Sequence, residues 1–233
     1  MGMAPLPAVH PLQPRFSQAI TGVLALEAAV FGQPAVLAVA LALVLLSLLG
    51  PRWSPVAWVF RRIAPPATDL EPAAPVRFSQ ALAAVFLTTS LVLVLAGAEL
   101  AGWIVAGLLA AVALFSAISG FCVGCEAYRL LLARRGGGEG DLRADLGLPG
   151  TGPWLVVLTA PGCARCEPVA REVERAAEGR EVVRVSLAEH PKAAALPVRS
   201  VPAALAIGAD GRLREARAGR LAGPEIAEVV GAV

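Results

Sequence analysis

Four apolar runs, at about residues 16–31, 34–50, 78–97 and 101–121, fill the first half of the chain and restrict what it can fold into. The last two reach the ~20 residues that a helix needs to cross a bilayer. The first two are shorter, and the first carries Glu27. Alone, that first run would pass for a signal-peptide core. An internal repeat argues against this. Arg15-Phe16-Ser17-Gln18-Ala19 recurs as Arg77-Phe78-Ser79-Gln80-Ala81, and each copy opens a pair of apolar runs. A duplicated hairpin predicts a four-helix transmembrane unit over residues 10–132, the first pair spanning as the second does. Composition agrees: 16% of residues are charged, where a soluble domain carries about 25%.

Arginines set the expected orientation. Arg15, Arg52, Arg61, Arg62, Arg77 and Arg129, with Arg134 and Arg135, fall on one side of such a unit. The opposite turns, near Gly32-Gln33 and Ala98-Glu99, carry no basic residue. The positive-inside rule then places both termini and the 51–77 loop in the cytoplasm, in a multi-pass protein of the inner (plasma) membrane. Trp53, Trp58 and Phe60 ahead of Arg61-Arg62 predict a short interfacial helix with its aromatics at headgroup level. Glu27 is expected at the outer end of its helix, in contact with water. Ser116, Gly120 and Gly124 form a small-residue stripe that admits a neighbouring helix. The net charge of +2, with the single lysine Lys192, gives no stripe for nucleic acid.

The chemistry-bearing residues are four cysteines in two CxxC pairs, Cys122/Cys125 and Cys163/Cys166. The second pair follows the apolar run Trp154 to Ala160, which reads as a strand, and precedes an amphipathic helix at about 164–178. At a helix N-terminus, free N–H groups and the helix dipole favour a thiolate, and Arg165 adds positive charge. Cys163 is thus the expected nucleophile, and Cys166 the sulfur that resolves a mixed disulfide. Cys122 and Cys125 share a helix face at the expected cytoplasmic end of the fourth span.

Between the halves, residues 133–152 read as a linker built on Gly136–Gly140. Leu148-Pro149-Gly150-Thr151-Gly152 matches a sortase pattern but lacks the hydrophobic span and basic tail that should follow it. Residues 153–233 alternate strand and helix signals. Strands are expected at 154–159, 181–186, 203–207 and 212–217, with a helical turn near 189–196 and a last helix at 223–231.

This C-terminal region resembles thioredoxin. The resemblance rests on the strand–CxxC–helix stretch, on Val198-Arg199-Ser200-Val201-Pro202 and on the hairpin at Gly208 and Asp210-Gly211. It implies an α/β thioredoxin-like domain with Pro202 in a cis bond facing the cysteines and orienting a substrate thiol. The sequence departs from that family in three ways. Pro161-Gly162 stands where the family has Trp, Val157 stands where it has a buried Asp, and the first strand and helix are missing. These differences fit a domain dedicated to one partner better than a general reductase. The N-terminal unit resembles a bacterial four-helix membrane family known only as a domain of unknown function, through Arg77-Phe78-Ser79-Gln80, Gly102-Trp103 and the ending Phe121-Cys122-Val123-Gly124-Cys125 with Tyr128. More loosely, it looks like the small four-helix proteins fused to thioredoxin-like domains, such as vitamin K epoxide reductase fusions.

The expected function is a membrane-anchored thiol–disulfide oxidoreductase. Catalysis would rest on Cys163, Cys166, Pro202, Cys122 and Cys125. The partners would be the lipid bilayer and protein thiols or disulfides. No cofactor is required beyond the disulfides, although the membrane pair could pass electrons to a quinone. The alternatives are a thiolate site for zinc or copper(I), and a thioredoxin-fold binding module on an anchor. The gap from Cys125 to Cys163 exceeds usual zinc-ribbon spacing, and His10 and His190 stand apart, so no resident metal is expected. Gly136–Gly140 lacks the Lys-Ser/Thr and preceding strand of a phosphate loop.

Overall fold

The computed structural model describes residues 8–134, 141–190, 193, 196 and 198–233. The expected Gly136–Gly140 linker, Arg135 and Lys192 lie outside the described residues, as does half of the turn near 189–196. The chain divides into two compact units. One takes in Leu12–Pro65 and Pro75–Tyr128; the other takes in Pro66–Ala74 and the chain from Arg129 on, with its N-terminal residues through Pro11.

The first unit is helical. Its elements are α1 (Leu12–Phe31), α2 (Pro34–Leu49), α3 (Pro55–Ile63), most of α4 (Ala73–Leu95), α5 (Glu99–Ser119) and the start of α6 (Val123–Arg134). Four of these helices share one core of small and aliphatic side chains. Ala25 and Ala28 of α1 meet Leu37, Ala40 and Val44 of α2. Ala84 and Leu87 of α4, with Ala106, Leu109 and Ala110 of α5, complete it. Small residues let the backbones close in. A Cβ on Gly22 would lie 2.8 Å from Leu114 Cγ. Ser90 is fully buried on α4, and its hydroxyl donates to the Gly102 carbonyl at 2.8 Å.

The expected architecture of four transmembrane helices followed by a thioredoxin-like domain is overturned on both counts. Among the described residues only α4 and α5 are long and apolar enough to cross a membrane. The 16 residues of α2 rise only ~24 Å, short of a hydrocarbon core about 30 Å thick. Helix α1 has the length but carries Gln13, Arg15, Gln18 and Glu27, which lower its apolar character. Duplication of the repeat thus fixed a packing pattern and not a count of spans. The small-residue stripe does not run on one helix either. Gly120 adopts a left-handed conformation (φ 73°) and closes α5, and Gly124 belongs to α6. A short helix does form there, α3, capped by the Ser54 hydroxyl, which accepts from Ala57 N–H at 3.1 Å. Trp53 and Trp58 are exposed, but Phe60 is buried against Phe16 with ring centroids 5.6 Å apart.

The second unit holds β1 (Ala8–Val9) paired with β2 (Glu71–Pro72), then α7 (Leu142–Leu146), β3 (Trp154–Thr159), α8 (Cys166–Ala176), β4 (Val182–Ser186), β5 (Ala203–Ile207), β6 (Leu213–Ala218) and α9 (Gly223–Gly231). The larger sheet has the order β4-β3-β5-β6. Strands β3 and β4 are parallel, and the other neighbours are antiparallel. Strand β3 is an unbroken apolar run because both its faces are covered. Leu155 and Val157 pack against α8 and α9, whereas Trp154, Val156 and Leu158 face Leu142 and Leu146 of α7 with Leu187 and Leu196. Among the described residues this second face is covered by the five-residue α7, by Ala8 of β1 and by irregular chain that includes Leu70, and not by the further strand and helix that a thioredoxin domain would place there. The C-terminal part is a small sheet and not that domain.

Close packing of α4 on α5 yields a test. A Cβ at Gly102 would lie 2.9 Å from the Ser90 carbonyl oxygen and 2.5 Å from Val94 Cγ2. The substitution Gly102→Val should destabilise the protein by about 1–3 kcal/mol, read as a lowered Tm of the full chain in detergent micelles.

Candidate functional site

Each unit carries one of the cysteine pairs, and each pair is closed as a disulfide at the start of a helix. In the second unit β3 runs into Pro161-Gly162. Gly162 has φ 83°, a conformation that a side chain would oppose. The turn is held by Cys163 N–H on the Ala160 carbonyl at 3.2 Å, and α8 begins at Cys166. Cys163 and Cys166 are bonded, with Cα atoms 5.5 Å apart. Cys163 is half-buried and Cys166 is buried. The Val201–Pro202 bond is cis, and the Val201 carbonyl oxygen lies 3.9 Å from Cys163 Sγ.

Two neighbours of this pair had no sequence signal. Leu70, far away in the chain, forms an antiparallel bridge with Val201. Leu70 N–H donates to the Val201 carbonyl at 3.0 Å, and Val201 N–H to the Leu70 carbonyl at 2.8 Å. Asp69 next to it pairs with Arg165 at 3.2 Å. The charge expected to favour the Cys163 thiolate is therefore partly offset by a carboxylate. Glu167 follows Cys166 and accepts from Arg171 at 2.9 Å and Arg184 at 2.7 Å. The Arg171 hydrogen bond, with the Arg184 charge, holds its carboxyl below the ordinary value of 4.5.

In the first unit Cys122 immediately precedes α6. Its carbonyl accepts Glu126 N–H at 3.0 Å, so it stands at the N-cap of that helix. Cys122 and Cys125 are bonded, with Cα atoms 5.2 Å apart. Cys122 Sγ receives two N–H donors at 3.2 Å, the Cys125 backbone and the Gln18 side-chain amide. Ser79 Oγ lies 3.6 Å away. Cys122 is half-buried and Cys125 is 6% exposed. Gln18 and Ser79 were visible in the sequence only as members of the two Arg-Phe-Ser-Gln-Ala copies. The copies meet around this sulfur: Gln18 comes from one and Ser79 from the other. Gly124 makes room for this, since a Cβ there would lie 2.6 Å from Ser79 Oγ.

A family model described as a domain of unknown function, DUF4395, matches residues 9–133. The chain belongs to the DUF4395 family. The match covers the four core helices and ends with α6, so Cys122 and Cys125 fall inside the DUF4395 region and Cys163 and Cys166 outside it. No curated protein and no solved structure matches the chain. These comparisons support neither a thioredoxin-like domain nor the Phe-Cys-x-Gly-Cys ending as a family signature, and the family description supplies no activity. Among the described residues, no group of three or more His, Cys, Asp and Glu side chains is arranged to hold a metal ion.

The arrangement generates two expectations. Asp69→Asn removes the charge that offsets Arg165, so alkylation of reduced Cys163 at pH 6 should speed up about threefold, followed by mass spectrometry of the labelled peptide. Glu167 has a folded pKa below its unfolded one. Its contribution to stability is therefore present above that unfolded value and lost as pH falls through the folded one. The urea midpoint should drop less on acidification for Glu167→Gln than for the wild type.

Proposed function

We propose that this DUF4395 protein is a membrane-anchored thiol–disulfide oxidoreductase. One observation carries the reading. Both CxxC pairs are closed disulfides at helix N-termini, each with a more accessible first cysteine and a buried second one. That asymmetry suits exchange chemistry, which needs one sulfur open to attack and a second held nearby to resolve. The order strand, CxxC, helix at the second pair supports the same reading.

In the proposed cycle, reduced Cys163 attacks Cys122 of the Cys122–Cys125 disulfide. The Cys122–Cys125 bond breaks, Cys125 leaves with the electron pair, and a Cys163–Cys122 bond forms. Cys166 then attacks Cys163 and releases Cys122, so the first pair ends reduced and the second oxidised. Net direction follows the two reduction potentials, and 30 mV is worth about 1.4 kcal/mol for this couple. A partner protein's disulfide can take the place of Cys122–Cys125.

The α4–α5 hairpin is the proposed anchor. Its outward side chains are apolar, with Leu100 and Ile118 at 76% and 83% exposure. Such a face is suited to lipid. Arginine bias supports a location in the inner membrane with the termini and the second unit in the cytoplasm.

Cys166→Ala should trap the mixed disulfide. In membranes, non-reducing gels and mass spectrometry of linked peptides should show Cys163 joined to Cys122. A link to another protein with the membrane pair untouched would reduce the helices to an anchor. Absence of any Cys163 adduct would remove the exchange reading.

A further inference from the structure

A cavity of about 360 Å³ lies wholly within the first unit, with Cys122 in its wall. It runs along α5 from Leu108 to Ser116, about 12 Å of helix. Its chemistry changes along that length. Its polar groups, Ser17, Gln18, Ser79, Gln80 and Ser116, include the Ser-Gln steps of both repeat copies and stand toward the Cys122 end, among the apolar Pro14, Val76 and Val123. At the other end are Ala83, Phe86, Leu108, Leu109 and Val112. Among the described residues, no charged side chain lines it. Leu108 and Val112 are 57% and 45% exposed, so the apolar end opens sideways on the outward face of α5. Fully packed helices have no use for such a space. The repeat supplies amides and hydroxyls that a purely structural helix contact would not require.

A ligand that fits is neutral, has hydrogen-bonding oxygens at one end and an apolar body, and reaches the cavity from lipid. Beside a redox disulfide, it must also accept two electrons and two protons. We propose that this cavity binds a lipid-soluble quinone, which reoxidises the Cys122/Cys125 dithiol. The proposal rests on the exchange reading for the role of that pair. Two thiols lose two electrons and two protons, the Cys122–Cys125 bond forms, and the quinone becomes hydroquinone. Gln18 and Ser79 touch Cys122 and border the quinone oxygens' end, so they position ring and sulfur together.

The test uses the reduced full-length protein in detergent, with a short-chain benzoquinone bearing one isoprenoid unit as the probe. Hydroquinone formation is followed by absorbance, and the state of each cysteine by thiol labelling and mass spectrometry. Wild-type protein should form Cys122–Cys125 with equimolar hydroquinone. Ala113→Phe and Leu109→Trp, which fill the cavity from different positions, should each slow this at least about tenfold. Oxidation of the same pair by diamide, a small water-soluble oxidant, should stay within about twofold, and each variant should keep the wild-type Tm in detergent, which shows that it is folded. Equal quinone rates in wild-type and filled variants would overturn the proposal. So would quinone binding that leaves the thiols reduced, or equal inhibition by a saturated alcohol of the same length without any oxidation, both of which describe a lipid groove. The Cys166→Ala trap in the same preparation separates the two readings. A Cys163–Cys122 link without quinone oxidation sinks only the quinone site. Quinone oxidation without the link sinks only the exchange between pairs.

Discussion

A glycine in the left-handed region stands just ahead of each cysteine pair, Gly120 before Cys122 and Gly162 before Cys163. Gly120 closes α5 and Gly162 lies in the turn after β3, and in each case a new helix begins within the cysteine pair. The consequences are local and chemical. The free N–H groups of a helix start are then turned toward sulfur, as the Cys125 N–H is toward Cys122. The first cysteine is left on the open side of the turn, and the second is carried into the first helical turn and buried. A side chain at either glycine would oppose that backbone, and with it the accessible–buried asymmetry that exchange requires.

The helical unit depends on smallness in the same way. Its core is largely alanine, with Gly22 and Gly102 at close contacts. Large apolar side chains are displaced outward, to Val85, Val92, Leu100, Ile104 and Ile118. Soluble bundles place their bulk inside. This inverted distribution suits a solvent of lipid, in which helices gain from close backbone approach and from buried hydrogen bonds such as Ser90 to Gly102. The same economy of side chains leaves a cavity beside Cys122, where the two copies of one repeat each contribute a polar group.

Much of this was legible. Strands β3 and β5 were readable as continuous apolar runs because both faces of each are covered. The cysteine pairs, and the strand before the second, were plain from spacing. What misled was similarity between the halves. The repeat copies share Arg-Phe-Ser-Gln-Ala, and the inference that the first pair spans as the second does ignored α2's 16 residues and α1's polar side chains. The end of the fourth apolar run reads as one continuous helix because Ser116, Gly120 and Gly124 keep a four-residue step. A single positive φ at Gly120 breaks that step, and periodicity carries no information about it.

Residues 66–74 mark the other limit. They read as part of a loop between helices, yet Leu70 pairs with Val201 and Asp69 with Arg165 beside Cys163. Nothing in their composition distinguishes them, because a backbone bridge needs no particular side chain and one Asp in a loop is ordinary. The local elements, the cysteine spacing and the apolar bias of α4 and α5 follow from sequence, since each is set by neighbours within a few residues. The pairing of Asp69 with Arg165, the meeting of Gln18 and Ser79 on Cys122, and the cavity beside them arise only in the tertiary structure. They join residues distant in the chain, and no local energy term connects such residues until the chain has folded.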